Sequence, residues 1–306
     1  MKYLLETGPQ TLSIEEQASQ PLPEGHVRVN VAYVGICHSD TARVAEGAGP
    51  FPFRMGHEVS GIVTESKADA IGQGDRVAAY VADGYATEVI VPADKIVPLH
   101  DDCTLLDGAL AEPLACVIGG IEMLELTHES DVVMVGAGFM GLMAVRFLVA
   151  AGHRVTVIEP RELARDLALG WGADRALHPD EVEPAQQASV VVEATGGPAG
   201  LQLASDLVRI EGTLGILGYH QSRGGKRIVD MESWNYRALR VLSLHHRNSD
   251  NVMRWMDRAQ RLAGQKILVP AELVGGLVPL DDLPRVLVEH PDPSTIKLAL
   301  EVADGV

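Results

Sequence analysis

Apolar and polar side chains alternate through Val27-Arg28-Val29-Asn30-Val31-Ala32-Tyr33-Val34, the period of a strand with one buried face. Glu58-Val59-Ser60-Gly61-Ile62-Val63-Thr64 and Arg76-Val77-Ala78-Ala79-Tyr80-Val81 behave similarly, with turn signals such as Gly74-Asp75 between the runs. The region up to His100 therefore reads as β-rich. From Ser130 the pattern changes. Val132-Val133-Met134-Val135 is a continuous apolar run, followed by a glycine turn, a helical stretch over Leu142-Met143-Ala144-Val145-Arg146-Phe147-Leu148, and a second apolar run, Arg154-Val155-Thr156-Val157-Ile158. That order predicts β-α-β with a parallel sheet covered on both faces. Segments 189–194, 212–218 and 239–244 continue the strand series. Asn251-Val252-Met253-Arg254-Trp255-Met256 and the residues after it read as helix, and the tail ending in Ile296-Lys297-Leu298-Ala299-Leu300 reads as a strand able to rejoin the first region.

A chain of 306 residues is long enough for two cores. Hydrophobic content of 46% and charged content of 22% describe an ordinary globular protein. The formal charge of −17 argues against nucleic acid or an anionic membrane as partner, because phosphate would be repelled. The N-terminus lacks the long apolar core of a signal peptide, and no later run is long enough to span a bilayer. Three cysteines, Cys37, Cys103 and Cys116, show no paired spacing, so a reducing, cytoplasmic setting is expected.

Two groups of residues carry candidate chemistry. The first is Gly136-Ala137-Gly138-Phe139-Met140-Gly141, placed between a predicted strand and a predicted helix. Gly136 permits the tight turn, Gly138 lets the backbone approach a pyrophosphate, and Gly141 lets helix and strand pack closely. The helix N-terminus then offers free amides to the phosphates. Glu159 ends the next strand, where a carboxylate accepts ribose hydroxyls and repels a 2′-phosphate, favouring NAD over NADP. Arg161, close by, softens that preference. The second group is Cys37-His38-Ser39-Asp40, Gly56-His57-Glu58 and Glu112-Pro113-Leu114, which together supply a thiolate, an imidazole and carboxylates, the donor types of an open catalytic zinc site. Singly, Cys37 reads as a small buried hydrophobe and His57 as a structural histidine; their combination gives the metal reading its weight. His245-His246, on a predicted strand, would point to opposite faces and so read as structural.

These strings resemble the zinc-dependent alcohol dehydrogenase branch of the medium-chain dehydrogenase/reductase superfamily. Gly35-Ile36-Cys37-His38-Ser39-Asp40 is similar to its first zinc-ligand loop, Gly56-His57-Glu58-Val59-Ser60-Gly61 to its second, and Glu112-Pro113-Leu114 to the third-ligand segment of sorbitol- and threonine-dehydrogenase-like members. The resemblance implies an α/β protein: a GroES-like β-rich catalytic domain over 1–117 and 248–306, and a Rossmann doubly wound parallel-sheet cofactor domain over 118–247. It implies Cys37, His57 and Glu112 as zinc ligands, with Cys116, one helical turn on, as the competing third donor. Glu58 would lie just behind the metal, either as an alternating ligand or as a group supporting the ligands, Asp40 would hold the other ring nitrogen of His57, and Ser39 would hydrogen-bond the substrate oxygen. His38 and Lys297 would lie near the cofactor pyrophosphate, with Thr195 and Gly196 on the nicotinamide side and Gly218 among the cofactor-binding residues. Two departures stand out. The four-cysteine lobe that often binds a structural zinc is missing between Val81 and Gly84, so one catalytic ion per subunit is expected. Many members carry a proton-relay histidine five residues after the ligand cysteine, where this chain has Ala42.

The expected activity is hydride transfer between a secondary alcohol, such as a polyol or sugar alcohol, and NAD, in a homodimer or homotetramer acting on a small molecule. A zinc-free quinone- or enoyl-reductase-like NAD(P)H oxidoreductase is disfavoured by the Cys37–His57 pair. A non-enzymatic nucleotide-binding redox sensor is disfavoured by intact motifs throughout.

Overall fold

The computed structural model describes residues 1–47, 49–127, 130–183, 187–289, 292 and 294–302. The chain divides into two compact units, Met1–Ala115 with Asn248–Val306, and Cys116–Arg247. It opens with β1 (Lys2–Gly8) and β2 (Thr11–Glu16), then β3 (His26–Ile36), helix α1 (His38–Glu46), β4 (Glu58–Ser66), β5 (Arg76–Tyr80), β6 (Glu88–Pro92), β7 (Ile96–Pro98), α2 (Leu105–Ala109) and α3 (Ala111–Glu122). An alternating series follows: β8 (Asp131–Val135), α4 (Phe139–Ala150), β9 (Arg154–Ile158), α5 (Glu162–Gly170), β10 (Arg175–Leu177), β11 (Ala188–Glu193), α6 (Pro198–Leu207), β12 (Val208–Ile216), α7 (Met231–Tyr236) and β13 (Arg240–Ser243). The chain then returns to the first unit through α8 (Ser249–Gly264), β14 (Val274–Pro279), α9 (Leu283–Glu289) and β15 (Lys297–Glu301).

The first unit is built on a seven-stranded sheet in the order β14-β15-β3-β4-β5-β7, with β6 also paired to β3. Strict alternation in β3 buries Val27, Val29 and Val31 on one face. They meet Val63, Val77, Val91 and Leu283 in a single apolar core. The C-terminal strand β15 lies parallel to β14 and antiparallel to β3, with Leu300 opposite Val34. Antiparallel pairing of β3 with β4 sets Gly35 opposite Glu58. This register matters most for function, because Cys37 just after β3 and His57 just before β4 are then brought to the same sheet end.

The second unit holds six parallel strands in the order β10-β9-β8-β11-β12-β13. Continuous apolar runs suit strands covered on both faces: Val132, Met134, Val155, Val157, Val191 and Val192 are all buried. Strand order reverses at β8, so a crevice opens at the carboxyl ends of β8 and β11, the usual ligand position in such sheets. This is the α/β architecture of a GroES-like unit and a Rossmann-type unit.

Two local expectations change. The residues after Cys37 form helix α1, where loop was expected. Strand β13 stops at Ser243, so His245 and His246 lie beyond it; His245 instead meets the Tyr219 ring edge-on at 5.7 Å. Among the described residues no helix is long and apolar enough to cross a membrane.

Candidate active site

Cys37 is the N-cap of α1, and its carbonyl accepts the amides of Asp40 and Thr41. Its sulfur, a ring nitrogen of His57 and a carboxylate oxygen of Glu58 all lie within 4.8 Å of one another. Ser39 Oγ donates to Cys37 Sγ at 3.1 Å. Glycine at position 35 makes room for this cluster, since a Cβ there would sit 1.8 Å from Glu58 Oε2. Glu112 is half-buried in the first turn of α3, outside the tight trio, yet its charge still acts on His57.

The electrostatics of the trio are unusual. Burial works against a charged His57, but the Cys37 hydrogen bond and charge, then Asp40 and Glu112, push its pKa up to about 11. The negative groups that hold a proton there are equally suited to a divalent cation. Glu58 is fully buried, and Lys297 Nζ donates to its Oε1 at 2.8 Å. Oε2 lies 2.7 Å from the same ammonium without hydrogen-bond alignment, leaving a buried carboxylate oxygen with no donor. Sulfur, imidazole and an unsatisfied carboxylate oxygen fit a zinc ion.

Several expected roles shift. Lys297 is only 7% exposed, and its ammonium pairs with Glu58 inside the first unit. Asp40 Oδ2 stands 3.7 Å from His57 Nδ1, too far for a hydrogen bond, and accepts instead from the Tyr85 hydroxyl at 2.8 Å. Tyr85 was overlooked in the sequence, where Gly84-Tyr85-Ala86 registered only as the place of a missing lobe. His38 is the first residue of α1, within hydrogen-bond range of Thr41. Cys116 is half-buried one turn after Glu112 and is not among the tight trio.

In the second unit Gly136 takes a left-handed φ of +98°, turning the chain from β8 into α4, whose N-cap is Gly138. A Cβ on Gly141 would lie 2.2 Å from Gly136 O, so the close helix–strand packing requires that glycine. Phe139 is buried and Met140 half-buried in the first turn. Glu159 follows β9 and is 4% exposed; it accepts the Ala137 amide at 2.7 Å and Arg161 Nε at 2.8 Å. Burial raises its pKa, but Arg161 and the Ala137 amide outweigh that and hold it below the usual carboxylate range. Arg161 also donates to Ala137 O at 3.2 Å, so it bridges carboxylate and glycine turn. Thr195 and Gly218 follow β11 and β12, and their amides reach the Glu193 side chain and carbonyl respectively.

Comparison with known proteins agrees with this geometry. The alcohol dehydrogenase GroES-like domain matches residues 23–101, and the zinc-binding dehydrogenase domain matches residues 140–261. Galactitol 1-phosphate 5-dehydrogenase of Escherichia coli strain K12 is 26% identical over 253 residues, covering 68% of this chain and 73% of that protein. The crystal structure of galactitol-1-phosphate dehydrogenase from Escherichia coli superposes with a TM-score of 0.85 at 20% identity, covering 99% of this chain and 100% of that one. That of 2R,3R-butanediol dehydrogenase from Bacillus subtilis gives 0.84 at 20% identity, covering 99% of each. The chain belongs to the zinc-type alcohol dehydrogenases of the medium-chain dehydrogenase/reductase superfamily. It is an enzyme, an oxidoreductase of a class that works with zinc and a nicotinamide dinucleotide on small molecules.

Proposed function

We propose that this enzyme oxidises a secondary hydroxyl of a polyol or sugar alcohol with NAD, or reduces the matching ketone. One zinc per subunit would be held by Cys37, His57 and Glu112, with Glu58 as an exchanging fourth donor. The observation that carries this is the convergence of the Cys37 sulfur, a His57 ring nitrogen and a Glu58 carboxylate oxygen within 4.8 Å of one another. The polyol preference is supported by the sugar-alcohol phosphate and diol relatives.

When bound, zinc would supply the Lewis acidity that lowers the pKa of a bound hydroxyl, and the nicotinamide would supply the hydride acceptor. The protein's own groups do the rest. Ser39, whose hydroxyl stands at the Cys37 sulfur, would accept a hydrogen bond from the substrate hydroxyl. Asp40, fixed by Tyr85, would stand behind His57 at 3.7 Å, with burial pushing its pKa up. Lys297 offsets the charge of Glu58. In the second unit, Gly136, Gly138, Phe139, Met140 and Gly141 would receive the pyrophosphate, and Glu159 the adenosine ribose. Its carboxylate supports NAD over NADP, while Arg161 narrows the margin because it already neutralises part of that charge. We further infer a homodimer formed through the outer edge of β13.

The test has two arms. Iodoacetamide labelling followed by mass spectrometry should modify Cys37 in chelated protein and spare it once zinc is restored. Cys103 should stay unlabelled in both, since burial pushes its pKa up to about 12. A panel of polyols, sugar alcohols and simple alcohols should then reduce NAD⁺ faster than NADP⁺, with polyols best. Cys37 labelling indifferent to zinc would sink the metal assignment. A panel led by simple primary alcohols would sink the substrate assignment.

A further inference from the structure

We propose that His220 and Arg227 are positioning residues for the nicotinamide half of the dinucleotide, an assignment that rests on the second unit being the cofactor unit. Strands β8, β11 and β12 run parallel as neighbours, and the segments that follow them abut closely. A Cβ on Gly136 would lie 2.7 Å from Thr195 Cγ2, and one on Gly218 would lie 2.2 Å from Gly196 N. These three segments therefore form one backbone ledge along the carboxyl edge of the sheet.

Behind the ledge lies Glu193, fully buried at the end of β11. Its Oε1 accepts the amides of Thr195 at 2.7 Å and Gly196 at 2.9 Å, together with the Thr195 hydroxyl. Its Oε2 faces His220 Nε2 at 2.8 Å. Arg227 Nε donates to His220 Nδ1 at 2.9 Å. A guanidinium only donates, so Nδ1 is the acceptor, and the imidazole proton sits on Nε2, where it is given to Glu193. Arg227 also donates to Gly196 O at 3.1 Å, Ser222 O at 2.8 Å and Lys226 O at 2.8 Å. The result is a chain of charge-assisted bonds, Glu193–His220–Arg227, that fastens the segment after β12 to the one after β11.

The sheet order says which part of the cofactor this chain would serve. Glu159 follows β9, on one side of β8, and marks the adenosine ribose; β11 and β12 lie on the other side. A dinucleotide lying across the point of reversal puts its nicotinamide end over the ledge. Hydride transfer needs that ring held in one orientation, and a ledge whose segments are cross-braced from behind supplies a rigid seat. Among the described residues the relay makes no hydrogen bond to Glu159, and it meets the glycine turn only through Thr195 packed beside Gly136, so its removal should be felt chiefly at the nicotinamide end of the cofactor.

Binding of NADH and of ADP-ribose, which lacks the nicotinamide ring, to the full-length protein tests this. His220→Ala should weaken NADH about tenfold and leave ADP-ribose within about twofold, the loss expected for one charge-assisted bond. His220→Gln, whose amide can donate to Glu193 and accept from Arg227, should restore most of the NADH affinity. Should His220→Ala fail to fold, Arg227→Met at the partly exposed end of the relay is expected to show the same split. Parallel loss of both ligands, or unchanged NADH affinity, overturns the assignment. Failure of the unsubstituted protein to bind ADP-ribose would instead overturn the cofactor reading beneath it.

Discussion

Lys297 and Glu58 form the ion pair on which the first unit's site turns. Glu58 is wholly buried and Lys297 nearly so, and each alone would cost several kcal/mol of lost hydration. Burial lowers the Lys297 pKa, but Glu58, Cys37 and Glu112 more than reverse this, so the ammonium stays charged. The pair keeps a carboxylate in the interior whose Oε2 is paired by charge but has no aligned hydrogen bond. Lys297→Met should therefore destabilise metal-free protein by about 3–5 kcal/mol, because Glu58 is left charged and unpaired. Adding Glu58→Gln to that variant should recover most of the loss. Urea melts of the three proteins check this, and a double variant as unstable as the single one would refute it. In the sequence Lys297 reads as part of the C-terminal strand and, through the family resemblance, as a residue near the cofactor pyrophosphate. That its ammonium turns towards a glutamate 239 residues away is a tertiary fact that no local pattern carries.

At the scale of elements, the β3–β4 register does the positioning, and Gly35 is its most constrained point. A Cβ there would meet Glu58 Oε2 at 1.8 Å and Leu110 Cδ2 at 2.9 Å, so carboxylate or strand must move. Gly35→Ala should cost about 1–3 kcal/mol and lower zinc content, whereas Gly170→Ala at the end of α5 meets nothing and should be silent or slightly stabilising. Thermal melts and metal analysis of both variants decide it; equal behaviour would mean that the register tolerates the extra methyl. Elements with strict periodicity were legible from sequence: β3 by its valines at every second position, β8 and β9 by continuous apolar runs, and the turn into α4 by three glycines. Elements with weak periodicity were not. Helix α1 buries only Asp40, Thr41 and Val44, too few apolar groups to announce a helix, and β1 buries Leu4 beside a charged Glu6. Within the candidate site, the Cys37 and His57 strings stood out because residue type and spacing coincide. The Tyr85–Asp40 and His220–Glu193 contacts did not, because each joins residues 27 or more positions apart.

For the whole molecule, the outermost strand of the second unit's sheet is the feature that calls for a partner. Among the described residues β13 pairs only with β12, so its outer row of backbone groups is unpaired in a single chain. The same stretch exposes apolar side chains: Ile228 is 99% exposed, Met231 53%, Tyr236 82% and Val241 37%. Open strand edges invite other chains, and proteins normally blunt them with charge, proline or a covering element; here the charge on β13, Arg240, is already paired with Glu125, and exposed apolar groups stand beside it. A second copy related by a two-fold axis would place β13 against its own image, continue the sheet and cover these residues in one self-complementary contact. Val241→Lys should then convert a dimer into a monomer, since two like charges would face each other across the axis at low dielectric. Light scattering coupled to size exclusion measures this directly. A monomeric parent protein, or a Val241→Lys variant with undiminished mass, would show that this edge is not the interface.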